Sequence, residues 1–341
     1  NMQFHASYNL KDLNTLAVSA EAEYFCQVQS HEDIQEALVF ARDKSLSVKI
    51  LGGGSNVVMA GHITGLVIQH VAKGFKVLAE HESHVALQVM AGQNWHDLVM
   101  QTLEQEYFGL ENLAYIPGSV GAAPVQNIGA YGVEAKDFIT KVHGVYLDSG
   151  TEFTLDNAQC EFAYRESVFK HELDGKVLIT SVEFNLNKKE NVMVKYAPLN
   201  TMSADYFEQH GKLVSASLLA RWVIDVRKSK LPEPSELPNA GSFFKNPVVS
   251  LNAFDQLKTK YPEMPHYDQP NGVKIPAGWL IDQLGLKGQS FGPVNVHDKQ
   301  ALVLVNKGGS GEDVIAAADQ IKAKVLAHYS VALEQEPRLF L

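Results

Sequence analysis

The chain has 341 residues, 45% of them hydrophobic, and a net charge of −10. That length exceeds what one core usually organises, at roughly 100–200 residues per domain, so two or three domains are expected. The negative balance excludes a general binder of nucleic acid or of a membrane surface, because those partners are held by a cationic field that this chain lacks.

The N-terminal NMQFHASYNLKDLNTL carries no apolar stretch of signal-peptide length, and no run approaches the roughly 20 residues that span a bilayer. A cytoplasmic protein is expected, and Asn1 before Met2 reads as a vector-derived residue. After Ser30, an N-cap with Asp33 three residues on, Ile34, Ala37, Leu38 and Ala41 recur at helical spacing, followed by strand-like SVKIL and the turn GGGSN. GLVIQH and the alternating Val85, Leu87 and Val89 read as strands, and Trp95 through Leu103 as a helix. KVHGVYL and KVLITSVEFNL are strand-rich, and a helical pattern runs from Leu213 to about Arg227, ending at the Pro-rich KLPEPSELP. Beyond that break, helices are expected around 252–260, 276–284 and 311–327, with the last ten residues returning as a strand.

The two cysteines, Cys26 and Cys160, stand far apart with no CxxC or Cys/His cluster, which signals neither a disulfide framework nor zinc. The 13 histidines form no HxxxH pattern, so no metal is expected.

Two segments carry a ligand signal. LGGGSN at 51–56 could cradle a diphosphate, because consecutive glycines expose backbone N–H groups, but alone it equally describes a tight turn. It completes neither GxGxxG nor a P-loop. PGSVGAAPVQNIGAYG at 117–132 is dominated by small residues, with Ser119, Gln126 and Asn127 interspersed. That composition suits close approach of something flat or phosphorylated; a buried Gly-rich turn between strands is the plainer alternative.

GGGSN, PGSVGAAPVQNIGAYG, YRESVFK, NAGSFFKNP, AGWLID and LEQEPR, in that order from Asn14-Thr15 to near the C-terminus, resemble the UDP-N-acetylenolpyruvoylglucosamine reductases (MurB) of the longer type I form. The resemblance implies an α+β chain: a two-domain FAD-binding fold of the vanillyl-alcohol-oxidase/PCMH type plus a smaller α+β substrate-binding domain. The segments would be 1–71, completed by 332–341, and 72–230 for FAD, and 231–331 for substrate. FAD would lie along Gly53, Gly54, Ser55 and Asn56 and along Pro117, Gly118, Ser119, Gly121 and Ala122, with backbone donors neutralising the pyrophosphate. NADPH would be the reductant and a UDP-sugar the substrate, bound by a monomer.

Reducing an enolpyruvyl ether places a hydride on the terminal carbon and leaves negative charge beside a carboxylate, spread into it as an enolate. The carboxylate must be held, its charge stabilised, and a proton donor supplied. Arg165, in YRESVFK, offers a planar, permanently charged fork for a carboxylate. Glu336 would have to act in its protonated form, donating a hydrogen bond. Glu334 shares a strand face with it, so spacing cannot separate the two and only the resemblance selects Glu336. Pro337 follows where the family usually has a β-branched residue, which puts the local strand pairing in question. Ser242, in NAGSFFKNP, lacks a GxSxG elbow or a triad, and the resemblance makes it the proton donor. Lys230, Asn246 and Tyr196 would recognise the diphosphate, Tyr267 in PHYDQPNG would close over the substrate, and Gln300 would touch the nucleotide. Two rival readings are a flavin-binding sensor or carrier without reductase activity and an FAD oxidase of the same fold.

Overall fold

A computed structural model describes residues 2–341. By its internal contacts the chain divides into two units, the first made of residues up to Tyr8, Ala22–Gly53 and Thr64–Ser229, the second of Asn9–Glu21, Gly54–Ile63 and Lys230–Leu341. This division is coarser than the three segments expected above, and it places residues 332–341 with the second unit.

In the first unit the strand His84–Met90 buries Val85, Leu87 and Val89 and points the alternate residues away, as a period of two requires. Its neighbour Val177–Asn187 sets Leu186, Phe184 and Val182 opposite them, which makes three apolar cross-strand pairs on one face. These two strands sit in an antiparallel sheet ordered Glu152–Asp156, Ile139–Tyr146, Val177–Asn187, His84–Met90, Phe75–Glu80. Helix Trp95–Glu104 covers that core with Trp95, Leu98, Val99 and Leu103, and helix Ala216–Lys230 adds Ala216, Leu219, Ala220 and Val223. The Trp95 indole Nε1–H donates to the Leu113 carbonyl at 2.9 Å, so its burial strands no donor.

A second sheet in this unit runs His5–Asn9, Glu21–Val28, His62–His70, Val48–Leu51, the last pair parallel. Helix His31–Asp43 begins where expected, with Ser30 Oγ accepting the Asp33 N–H at 3.1 Å, and presses Ile34, Ala37, Leu38 and Ala41 on Cys26, Val28, Leu66 and Ile68. Cys26 and Cys160 are free, buried thiols, each pushed up to about 12, chiefly by burial.

Three details differ from the sequence reading. The helix expected from Leu213 starts at Ala216, because the Ser215 hydroxyl accepts the Leu218 N–H at 3.1 Å and leaves Leu213 exposed outside it. The helix Leu199–His210 was not foreseen; only Leu199 and Ser203 of it are buried, too little for an apolar period to stand out. The C-terminal strand is short, Arg338–Phe340, and runs parallel to Val57–Met59 in the second unit.

That second unit also contains small antiparallel sheets of Ser290–Phe291, Val294–Val296 and Leu304–Asn306, and of Val248–Val249, Gly272–Lys274 and Tyr267–Gln269. Helix Gly311–Tyr329 opens with a reciprocal Ser310/Asp313 capping box and buries Val314, Ala317, Ala318, Ile321 and Val325. No helix among the described residues is long and apolar enough to cross a membrane.

A Cβ at Gly311 would stand 1.8 Å from the Met59 carbonyl oxygen. Helix propensity alone would make Gly311→Ala stabilising by up to about 1 kcal/mol, whereas a backbone clash should destabilise by about 1–3 kcal/mol; the sign of the shift in urea midpoint decides between them. Separately, burial lowers the His70 imidazole from 6.5 to about 4, with Asp33 acting the other way, and Nδ1 accepts the Ala72 N–H at 3.4 Å, as a neutral ring must. Because the unfolded chain binds that proton first, the stability contributed by His70 is present above pH 6.5 and is lost as the pH falls towards 4. Urea titrations at pH 7.5 and pH 4.5 should therefore show a smaller pH difference for His70→Gln than for the parent protein.

Candidate functional site

In the first unit Gly52 and Gly53 lie on the 117–122 loop. A Cβ at Gly53 would stand 2.9 Å from Gly118 Cα and 3.3 Å from the Ser119 nitrogen, and one at Gly52 would stand 3.2 Å from Ser119 Oγ. The 117–122 loop is itself pinned to the start of helix Trp95–Glu104, with Trp95 N–H donating to the Gly118 carbonyl at 2.9 Å.

Accounting for its N–H groups divides the loop by role. Val120, Gly121 and Ala122 donate to the carbonyls of Gln93, Ala91 and Ser119 at 2.8, 2.9 and 3.1 Å. Pro117 has no N–H, and the N–H groups of Gly118 and Ser119 have no protein acceptor among the described residues. Gly121 and Ala122 thus contribute closeness, and Gly118 and Ser119 can contribute donors.

Gly54, Ser55 and Asn56 belong to the second unit. Gly54 has φ +70°, and a Cβ there would fall 1.8 Å from the Leu13 carbonyl oxygen, so only glycine fits. Its carbonyl accepts the Thr15 N–H at 2.9 Å. The seat is held by buried Asn14, whose Nδ2 donates to the Leu10 and Val18 carbonyls at 2.9 and 3.0 Å while its Oδ1 accepts the Val18 N–H at 3.0 Å. The N–H groups of Ser55 and Asn56 have no protein acceptor among the described residues.

Arg165 lies in the first unit, its Nη2 donating to the Gly129 carbonyl at 2.9 Å and its Nη1 to that of Asn127 at 3.4 Å. A Cβ at Gly129 would stand 2.9 Å from Nη1, so glycine leaves room for the guanidinium. Half-exposed Tyr196, just before helix Leu199–His210, is in the same unit.

In the second unit residues 242–245 run between two others. Ser242 bridges Val303, Phe243 N–H donates to the Leu302 carbonyl at 2.7 Å, Lys245 N–H donates to Glu334 at 2.8 Å, and Glu336 N–H donates to Phe243 at 2.8 Å. Ser242 and Glu336 are thereby fastened to one backbone ladder. The exposed Glu334 carboxylate pairs with Lys245 Nζ at 3.3 Å. Pro337 disturbs no ladder, because the chain changes partner there. Glu336 N–H is bonded to Phe243, Arg338 N–H is bonded to Asn56 at 2.9 Å, and the residue between needs no donor.

Asn246 Oδ1 accepts the Ala277 N–H at 2.9 Å, capping helix Ala277–Gln283 and leaving Nδ2 as the donating end. Lys230 is exposed at the end of helix Ala216–Lys230. The PHYDQPNG segment is a hairpin, with exposed Tyr267 paired to Lys274. The Gln300 carbonyl accepts the Val303 N–H at 3.0 Å, which ties that turn to the residue bridging Ser242. The expected residues thus divide between the units: Gly53, 117–122, Arg165 and Tyr196 in the first, and Gly54, Ser55, Asn56, Lys230, Ser242, Asn246, Tyr267, Gln300 and Glu336 in the second.

Residues 233–340 match a family model described as UDP-N-acetylenolpyruvoylglucosamine reductase, C-terminal domain, and residues 22–156 match one described as FAD binding domain. A UDP-N-acetylenolpyruvoylglucosamine reductase of Chromobacterium violaceum is 43% identical over 340 residues, covering 98% of both chains. One of Bdellovibrio bacteriovorus is 42% identical over 337 residues, covering 98% of this chain and 99% of its own. The chain belongs to the UDP-N-acetylenolpyruvoylglucosamine reductase family. The solved reductase (MurB) of Thermus caldophilus, 22% identical, covers 100% of this chain and 99% of its own with a TM-score of 0.66, and so shares the fold.

The α+β FAD-binding fold expected of a reductase of this family is therefore present, and the glycine contacts fit its cofactor. Any side chain at Gly53 would meet the Gly118 backbone, and the N–H groups of Gly118 and Ser119 are dipoles suited to a diphosphate. Sequence reasoning gave no role to Asn14, Asn127, Gly129 or Lys170. Their signals were only their places in the motifs: Asn14 at the start of the resemblance, Asn127 and Gly129 in PGSVGAAPVQNIGAYG, and Lys170 as the last residue of YRESVFK.

Gly53→Ala should lower FAD affinity at least about tenfold, because the added methyl meets backbone atoms that cannot move independently. Gly61→Ala, with nothing within 4 Å of the new methyl, should leave it unchanged. Fluorescence titration of the two apoproteins with FAD makes the comparison.

Proposed function

We propose that this flavin-binding oxidoreductase reduces the enolpyruvyl group of UDP-N-acetylglucosamine enolpyruvate to UDP-N-acetylmuramate, a step of peptidoglycan precursor synthesis, with NADPH as reductant. The observation that carries the proposal is identity of 43% over 98% of a reductase from Chromobacterium violaceum, in a chain that carries Arg165, Ser242 and Glu336. When bound, FAD supplies the hydride.

The remaining work falls to side chains. Arg165 holds the substrate carboxylate and takes up part of the charge that develops there, its guanidinium already oriented by the Gly129 carbonyl. Glu336 in its acid form donates a hydrogen bond to the enolate, since an ionised carboxylate beside it would repel the charge. Ser242 Oγ gives its proton to the carbon next to the carboxylate. A hydroxyl is a weak acid, but the enolate is strongly basic, and the same weakness prevents proton leakage at rest. Both donors rest on the ladder of residues 242–245, so a shift of one moves the support of the other.

Lys230, Asn246 through Nδ2, and Tyr196 are assigned to the diphosphate, Tyr267 to the substrate as a closing aromatic, and Gln300 to the nucleotide. FAD is assigned to Gly53, Gly54, Ser55, Asn56, Pro117, Gly118, Ser119, Gly121 and Ala122, the last two by shape. The reading places a monomeric enzyme in the cytoplasm, in keeping with two buried free thiols.

Anaerobic stopped-flow measurement of Ser242→Ala tests the mechanism. Bleaching of the flavin by NADPH should stay within about threefold of the parent protein, because that half-reaction needs no proton from Ser242. Reoxidation by the enolpyruvyl sugar should slow by about 10²–10⁴-fold, the range of a positioned general acid, with Ser242→Cys partly restoring it. Reoxidation within about tenfold of the parent would remove Ser242 as donor, and failure of the sugar to reoxidise the parent protein would overturn the function itself.

A further inference from the structure

Arg165 occupies a costly place. Ala163 and Glu166 exchange both backbone hydrogen bonds, each at 3.1 Å, so Tyr164 and Arg165 are the two central residues of a tight turn. Arg165 has φ +52°, the left-handed conformation that glycine or asparagine takes at that position without strain. A residue with a Cβ there costs of order 1–3 kcal/mol unless its surroundings over-determine it.

The surroundings are specific. Lys170, its side chain 13% exposed, donates from Nζ to the Arg165 carbonyl at 3.0 Å and to Gln126 Oε1 at 2.8 Å, with Glu166 Oε1 at 3.5 Å. It thereby ties the carbonyl of the strained residue to the 123–126 helix, just before the carbonyls of Asn127 and Gly129 that receive the guanidinium. A second tie runs parallel. Fully buried Asn127 donates from Nδ2 to the Ala163 carbonyl at 2.9 Å and to Glu134 Oε2 at 3.0 Å, and its Oδ1 accepts the Lys136 N–H at 2.9 Å. The turn is thus fastened at its first residue by an amide and at its third by a cation.

We propose that Lys170 is a positioning residue for Arg165: its ammonium holds the turn in the left-handed geometry that aims the guanidinium. A neutral donor would hold the turn less firmly, because the group serves the Arg165 carbonyl and Gln126 together beside the Glu166 carboxylate, and a hydrogen bond from a charged donor is about twice as strong as a neutral one. The inference rests on the role given above to Arg165 in binding the substrate carboxylate.

The test is a double-mutant cycle on the FAD-loaded enzyme, read in the two half-reactions. Lys170→Met should leave bleaching by NADPH within about threefold while lowering kcat/KM for the enolpyruvyl sugar about 10- to 100-fold, the range spanned by one hydrogen bond from a charged group. In an Arg165→Ala background the same change should cost less than about threefold, because the group that Lys170 positions is gone. Lys170→Cys treated with bromoethylamine, which rebuilds an ammonium of nearly the lysine's length, should recover most of the lost kcat/KM; Cys26 and Cys160, buried and pushed up to about 12, should not compete for the reagent. Equal losses in both half-reactions, additivity with Arg165→Ala, or no recovery on aminoethylation would each overturn the proposal. If Arg165→Ala itself keeps kcat/KM near that of the parent, the assignment of Arg165 fails instead.

Discussion

Gly53 and Gly118 approach until a single methyl group would not fit between them, and much of the first unit is arranged to keep them there. The 117–122 loop is anchored through the Gly118 carbonyl to Trp95, whose indole is in turn bonded deep in the main core. Because the contact is backbone on backbone, it cannot be relieved by a rotamer change, and its position is as rigid as the core that supports it. Under the proposed assignment of FAD to this loop, a chain of net charge −10 would meet the diphosphate with the partial charge of oriented N–H groups.

The same economy appears around Arg165. Its left-handed backbone is held by Lys170 on its carbonyl, and Gly129 leaves room for its guanidinium. Such strain persists when neighbouring hydrogen bonds over-determine the geometry. Ser242 and Glu336 are handled differently. They need no strained backbone, because residues 242–245 are flanked on both sides by other segments and share their hydrogen bonds.

That ladder also accounts for Pro337. A proline in a continuous strand would delete a bond, yet here the chain leaves Phe243 at Glu336 and takes up Asn56 at Arg338. The Asn56 amide Nδ2 donates back to the Glu336 carbonyl at 3.4 Å, linking the GGGSN turn to the C-terminal segment across 280 positions of sequence.

From the sequence alone, the helix capped by Ser30, those from Trp95 and around 311–327, and the strands through Val85 and Val182 were legible, because caps and periods of 3.6 and 2 are local. The ordered motifs were enough to name the family, since each carries its residues within a short window. The choice between Glu334 and Glu336 was not legible by spacing, and the pairing of Glu334 with Lys245, 89 positions away, was not legible either. Nor could the sequence show that Gly121 spends its N–H on Ala91 while Gly118 keeps its own, or that Lys170 reaches back to the Arg165 carbonyl. Those are pairings of backbone groups that every residue possesses alike, so residue identity carries no record of them and only the folded chain decides which donor meets which acceptor.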